Sequence, residues 1–120
     1  MKNSVSIKNL LVIFNLFAGI LFGSVAFAAP SQIVLFCSSW NMKCREAKTA
    51  CSSAAQELGI NYSDLDIDQN NTQQKANAMG LNLPSVIPYI YILDSKGKII
   101  KGKLYKGETS QSLKQDLMKY

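Results

Sequence analysis

The chain of 120 residues carries 13 basic and 8 acidic side chains, three cysteines and no histidine. That length allows one small core, near the size at which stability becomes marginal. With no histidine, a soft-metal site would have to be built from cysteine and methionine alone.

Residues 1–28 read as lying outside the fold. Lys2 and Lys8 make a basic start and residues 10–22 a largely apolar block. Ala26, Phe27 and Ala28 then form a small-x-small cleavage site, completing the pattern of a secretory signal peptide. The alternative is an uncleaved membrane anchor, since the apolar character runs on to Ala29, although Asn15, Gly19, Gly23 and Ser24 weaken a spanning helix. The expected location is periplasmic or secreted, or membrane-anchored through residues 1–28 if these are retained. Lys2 and Lys8 account for two of the formal charges, so +5 becomes +3 on residues 29–120. Lys96, Lys98, Lys101, Lys103 and Lys106 fall on an expected hairpin. A solvated edge that resists strand-to-strand aggregation explains them better than a nucleic-acid or acidic-membrane patch. No nucleic-acid partner is expected.

Residues 33–58 organise the rest. Ile33, Val34, Leu35, Phe36 and Cys37 are apolar at every position, as in a strand covered on both faces. Ser38, Ser39, Trp40 and Asn41 break the run. Cys44, Ala47, Cys51, Ala54, Ala55 and Leu58 then share a stripe at helical spacing, and Gly59 is placed to end that helix. Residues 60–67 read as a second strand. Asn71, with Gln74 three residues on, resembles a capping box for a short helix that runs to Met79. An irregular connection punctuated by Pro84 leads to a hairpin, residues 88–93 and 98–105 around a turn at 94–97. Thr109 or Ser110 caps a last helix, on which Leu113, Leu117 and Tyr120 share a face.

The resulting order, β-α-β-α-β-β-α, resembles the minimal thioredoxin fold over nearly all of residues 29–120. That resemblance implies an α/β domain with a central four-stranded mixed sheet and helices on both faces. Trp40, Asn41, Met42, Lys43 and Cys44 sit like the family's Trp-Cys-x-x-Cys. Asp66, Ile67, Asp68, Gln69 and Asn70 follow the second strand, and Ile87-Pro88 sits where the family has its cis-proline. Residues 93–100 resemble the hairpin of exported thioredoxin-like proteins that handle disulfides. By the same resemblance Cys44 matches the second, resolving cysteine, and Asn41 stands in the place of the attacking one. Leu35 stands where thioredoxins carry a buried acid that assists proton transfer. The expectation is a degenerate active site, Asn-x-x-Cys in place of Cys-x-x-Cys, in which Asn41 serves as a helix N-cap.

The cysteines sort by geometry. Cys44 and Cys51, seven residues apart on one helix, are separated by about 10.5 Å of rise, beyond the roughly 7 Å that a disulfide spans between Cα atoms. Cys51 reads as a small core residue. Cys37, at the end of the strand, lies near the helix start. It forms a bridge or a non-standard redox pair with Cys44 if the connecting turn folds over tightly, and the sequence leaves this open. An odd count leaves at least one free thiol or an intermolecular bond.

The leading expectation is an exported thioredoxin-like protein in thiol–disulfide handling with weak or no ordinary disulfide reductase activity. If it is active, it is a thiol–disulfide oxidoreductase working through Cys44, with Cys37 as partner. Its partners are then protein thiols and disulfides, or an extended peptide segment of an envelope protein. The alternative is a non-catalytic binding module that holds such a segment in a groove of Trp40, Asn41, Ile87 and Pro88. A third reading, a soft-metal carrier using Cys37, Met42, Cys44 and Met79, is disfavoured because methionines on helices usually belong to the core. No cofactor and no metal are expected.

Overall fold

The computed structural model describes residues 29–120; the segment read as a signal peptide or anchor lies outside the described residues. The elements follow the order β1 (Gln32–Cys37), α1 (Met42–Leu58), β2 (Asn61–Asp66), α2 (Thr72–Ala78), β3 (Tyr89–Leu93), β4 (Ile99–Leu104) and α3 (Ser110–Leu117). The strands form one sheet in the order β2-β1-β3-β4. β1 runs parallel to β2, with Cys37 beside Asp66. It runs antiparallel to β3, with Phe36 opposite Tyr89, and β3 turns back antiparallel into β4. This is the minimal thioredoxin fold, with helices on both faces of a mixed sheet.

The all-apolar β1 is central because both of its faces are covered. Ile33, Leu35 and Cys37 pack with the apolar stripe of α1 and with Leu113 and Leu117 of α3. Val34 and Phe36 point to the other side, against Leu65, Leu81 and Ala76 of α2. Each large side chain buried in this way contributes about 1.5–3 kcal/mol relative to exposure. The stripe on α1 is formed by Cys44, Ala47, Ala50, Cys51, Ala54 and Ala55. These small residues let the helix lie close to the sheet. Gly59 closes the helix at φ 70°, and its N–H reaches back to the carbonyls of Ala55 and Gln56.

The helix starts divide between a cap that fails to form and one that does. Asn71 makes no side-chain cap hydrogen bond, so the capping box with Gln74 does not form. The neighbouring Thr72 is buried and its hydroxyl donates to the backbone oxygen of Asp66, which fixes the start of α2 to the end of β2. At α3, Thr109 is the cap, with its hydroxyl oxygen accepting from Ser112 N at 3.1 Å. Lys96, Lys98, Lys101 and Lys106 are exposed along the outer strand and its turns, whereas Lys103 is drawn into ion pairs with Glu108 and Asp116. Among the described residues no helix is long and apolar enough to cross a membrane.

Candidate functional site

The site forms where β1 hands over to α1. After Cys37 the chain makes one tight turn, closed by Asn41 N–H donating to Ser38 O at 3.2 Å. Asn41 then caps the helix: its backbone is extended, and its Oδ1 accepts from Lys43 N at 2.8 Å. Cys44 follows in the first helical turn. Because α1 runs back over the sheet from this point, Cys44 comes down onto Cys37. The two form a disulfide with their Cα atoms 5.6 Å apart, well within what a bridge spans. Both are covered, Cys37 being 2% and Cys44 1% exposed. Ser38 N–H donates to Cys44 Sγ at 3.3 Å.

This pairing overturns the degenerate single-cysteine reading. Aligning the turn on Trp-Cys-x-x-Cys places the missing partner at Asn41, three residues before Cys44. The partner is instead at the strand end, seven residues before. With two cysteines in a bond at the site, the expectations of weak or no reductase chemistry and of a non-catalytic binding module are both corrected. The chain holds the pair of sulfurs that thiol–disulfide oxidoreductase chemistry requires.

The remaining predicted residues lie in the connecting turn or at the proline that precedes β3. The Ile87-Pro88 peptide is cis. Pro88 is buried, and it follows on from the Phe36–Tyr89 pairing as the residue beside Cys37. Ile87 packs against the cluster that contains both cysteines. Trp40, at 68% exposure, stands out from the turn. The soft-metal set is not assembled. Cys37 and Cys44 are bonded to each other, Met42 points to solvent at 82% exposure, and Met79 packs on the opposite face of the sheet. Among the described residues no three histidine, cysteine or acidic side chains group as a metal site. Cys51 is free and buried. Burial, reinforced by Glu108, pushes its thiol up to about 12, which leaves it inert at neutral pH.

Sequence reasoning missed Ser38 and Asp68. Ser38 is buried, and its hydroxyl donates to Asp68 Oδ2 at 2.6 Å, so the β2–α2 loop is tied to the cysteine turn. The usable signal was topological. Once β1 and β2 are parallel, the residue after Cys37 and the Asp66–Asp68 segment must emerge at the same end of the sheet. A small cavity of about 20 Å³ beside Cys37 is lined by Ser38, Ser39, Lys48, Asp64 and Asp66. A larger open cleft of about 440 Å³ lies elsewhere, between α1 and the start of α3, and touches neither cysteine of the bridge.

Fold and site together define a thioredoxin-fold protein with a disulfide that joins the end of its first strand to the first turn of its first helix. No protein-family model matches the chain. No curated protein matches it. Solved structures do resemble it. An uncharacterized thioredoxin-like protein from Clostridium perfringens superposes with a TM-score of 0.58 at 16% identity, covering 78% of this chain and 73% of that one. A mutant thioredoxin from Halobacterium salinarum superposes with a TM-score of 0.59 at 17% identity, over 77% and 75% of the two chains. A disulphide isomerase from Xylella fastidiosa gives 0.51 at 17% identity, over 77% and 78%. At these identities the likeness speaks for the fold alone.

Proposed function

We propose that this protein is an exported thiol–disulfide oxidoreductase working through the Cys37–Cys44 pair, with protein thiols and disulfides of the cell envelope or exterior as substrates. The observation that carries this reading is the disulfide between a strand end and a first helical turn. There the partial positive charge of the helix N-terminus favours a thiolate. In the reduced form one thiolate attacks a substrate disulfide, and the second cysteine breaks the resulting mixed disulfide. Two electrons pass to the substrate, and the pair closes again. Trp40, Asn41, Ile87 and Pro88 are the proposed contacts for an extended substrate segment. Export rests on the signal-peptide pattern of residues 1–28.

Turnover of insulin disulfides with dithiothreitol as electron source tests the reading. The wild type should accelerate insulin reduction above the dithiothreitol blank, and Cys37→Ala or Cys44→Ala should abolish the acceleration. A wild-type rate equal to the blank overturns it.

The near-complete burial of both sulfurs favours one second reading, a structural staple that braces the turn. A staple resists dithiothreitol in the native protein and is reduced only once denaturant opens the fold. A redox pair is reduced without denaturant.

A further inference from the structure

We propose that Ser38, held in place by Asp68, positions its backbone N–H on the Cys44 sulfur, so that Cys44 is the sulfur that leaves when the bridge is opened and Cys37 is the one that carries the mixed disulfide. The inference rests on the redox reading and adds to it the polarity of the bond and two positioning residues.

The geometry is asymmetric about the bridge. Cys44 Sγ accepts from Ser38 N at 3.3 Å. It lies in the first turn of a helix that has no acidic residue in that turn, and the exposed Lys43 and Arg45 flank it in sequence. Cys37 has the opposite setting. It ends a strand, its parallel neighbour is Asp66, and it shares its small cavity with Asp64 and Asp66 as well as Lys48. The hydrogen-bond donor and the helix terminus therefore lie on the Cys44 side, and among the described residues Cys37 Sγ accepts no such hydrogen bond. In thiol–disulfide exchange the sulfur better able to hold charge is the better leaving group. Ser38 keeps its place because its hydroxyl donates to Asp68 Oδ2 at 2.6 Å. Asp68 is in turn fixed by its own N–H donating to Asp66 Oδ1 at 2.9 Å.

An external dithiol reduces the bridge in two exchanges. Its thiolate attacks Cys37 Sγ, the Cys37–Cys44 bond breaks, and the bonding pair leaves on Cys44 Sγ under the Ser38 N–H. Cys37 is now joined to the reductant. The second thiol of the reductant gives its proton to solvent and attacks the reductant's own sulfur in that mixed disulfide. The reductant closes into a cyclic disulfide, and Cys37 departs and takes up a proton.

Two measurements test the assignment. In reduced Cys37→Ser protein, absorbance at 240 nm reports the Cys44 thiolate against pH, with Cys51 silent because burial holds its thiol at about 12. Adding Ser38→Ala or Asp68→Ala should move the midpoint to higher pH, whereas Asp68→Asn keeps an acceptor for the Ser38 hydroxyl and should leave the midpoint at or below that of its parent. In the otherwise wild-type chain the two alanine changes should slow reduction by dithiothreitol roughly three- to tenfold. The Asp68→Asn comparison keeps the test sound if Ser38→Ala unfolds. In the second measurement, oxidised wild type is treated with glutathione, quenched in acid and mapped by peptide mass, and should carry glutathione on Cys37. Midpoints unmoved by both alanine changes, or glutathione on Cys44, would overturn the proposal. A bridge that dithiothreitol never opens in the native protein sinks the redox reading itself, and the 240 nm titration still reads the Ser38 contact independently.

Discussion

Cys37 and Cys44, seven residues apart in sequence, stand with their Cα atoms 5.6 Å apart across a junction of strand, one turn and helix. A loop this short still restricts the unfolded chain. Closing it stabilises the folded domain by about 2–3 kcal/mol in the chain-entropy account. Reduction should therefore lower the unfolding free energy of the wild type by that amount, read as a lower urea midpoint at unchanged m, and the Cys37→Ala/Cys44→Ala double variant should show no further loss when reductant is added. If reduction leaves the wild-type midpoint unchanged, the bridge adds nothing to stability and its role is chemical alone.

Asn41 stands at the head of α1 with its Oδ1 accepting from Lys43 N at 2.8 Å. Asn41→Ala removes an N-cap and should cost about 1 kcal/mol, read as a lower thermal or urea midpoint. The disulfide should still form, since the Asn41 side chain bonds to Lys43 N and the donor on Cys44 Sγ is Ser38 N. An unchanged midpoint, with the helix start intact, would remove the capping role.

Most of the fold was legible because period and punctuation agreed. The unbroken apolar run up to Cys37 read as a strand covered on both faces, and the stripe from Cys44 to Leu58 as the helix face that covers it. Gly59 then stopped the helix where the stripe ended. The site was legible only in outline. Matching the turn to Trp-Cys-x-x-Cys fixed attention on Asn41, because that comparison works by position within a motif, while the true partner of Cys44 is placed by the path of the chain. Cys37 was within reach in the strand-to-helix geometry, yet whether the turn closed tightly depended on contacts that no local pattern records. Ser38 and Asp68 illustrate this. They lie 30 residues apart, in segments that look like ordinary loop, and meet only because two parallel strands end together. The same holds for Thr72, whose bond to Asp66 O replaced the capping box suggested by Asn71 and Gln74.

Gly102 in β4 is required by its neighbours across the strand pair. A Cβ at this position would fall 2.8 Å from Tyr89 Oη and 3.2 Å from Tyr91 Cε1. Those rings are packed edge to face, with centroids 5.1 Å apart, so neither swings away freely. Gly102→Ala should destabilise the domain by about 1–3 kcal/mol through overpacking. Combining it with Tyr89→Leu should recover part of the loss, since the two sites are in contact and their effects do not add. Simple additivity in a double-mutant cycle would show that the cost lies in the glycine backbone and not in the clash.

Lys103 ties the outer strand to the last helix, with its Nζ 2.9 Å from Glu108 Oε2 and 3.2 Å from Asp116 Oδ2. Burial alone would raise both carboxyls, but the hydrogen bonds and charge of Lys103, joined at Glu108 by backbone N–H donors including that of Lys106 and at Asp116 by the charges of Lys101 and Lys119, outweigh it and hold both below their ordinary values. Burial would likewise lower Lys103, and its two acidic partners outweigh that and raise it. A depressed carboxyl contributes stability that is present above its unfolded value, about 4, and is lost as pH falls through its folded value. A raised lysine contributes below its unfolded value, about 10.4, and loses that contribution as pH climbs through its folded one. The network therefore stabilises most between these limits. Lys103→Met, which keeps most of the apolar stem, should cost about 1 kcal/mol near pH 7, an amount already reduced for the partial exposure of the partners. The cost should shrink toward pH 2.5 as Glu108 and Asp116 protonate, and again above pH 11. Urea midpoints of wild type and variant across that range check the shape. A difference as large at pH 2.5 as at pH 7 would place the stabilisation in the packing of the lysine stem, with no share for its charge.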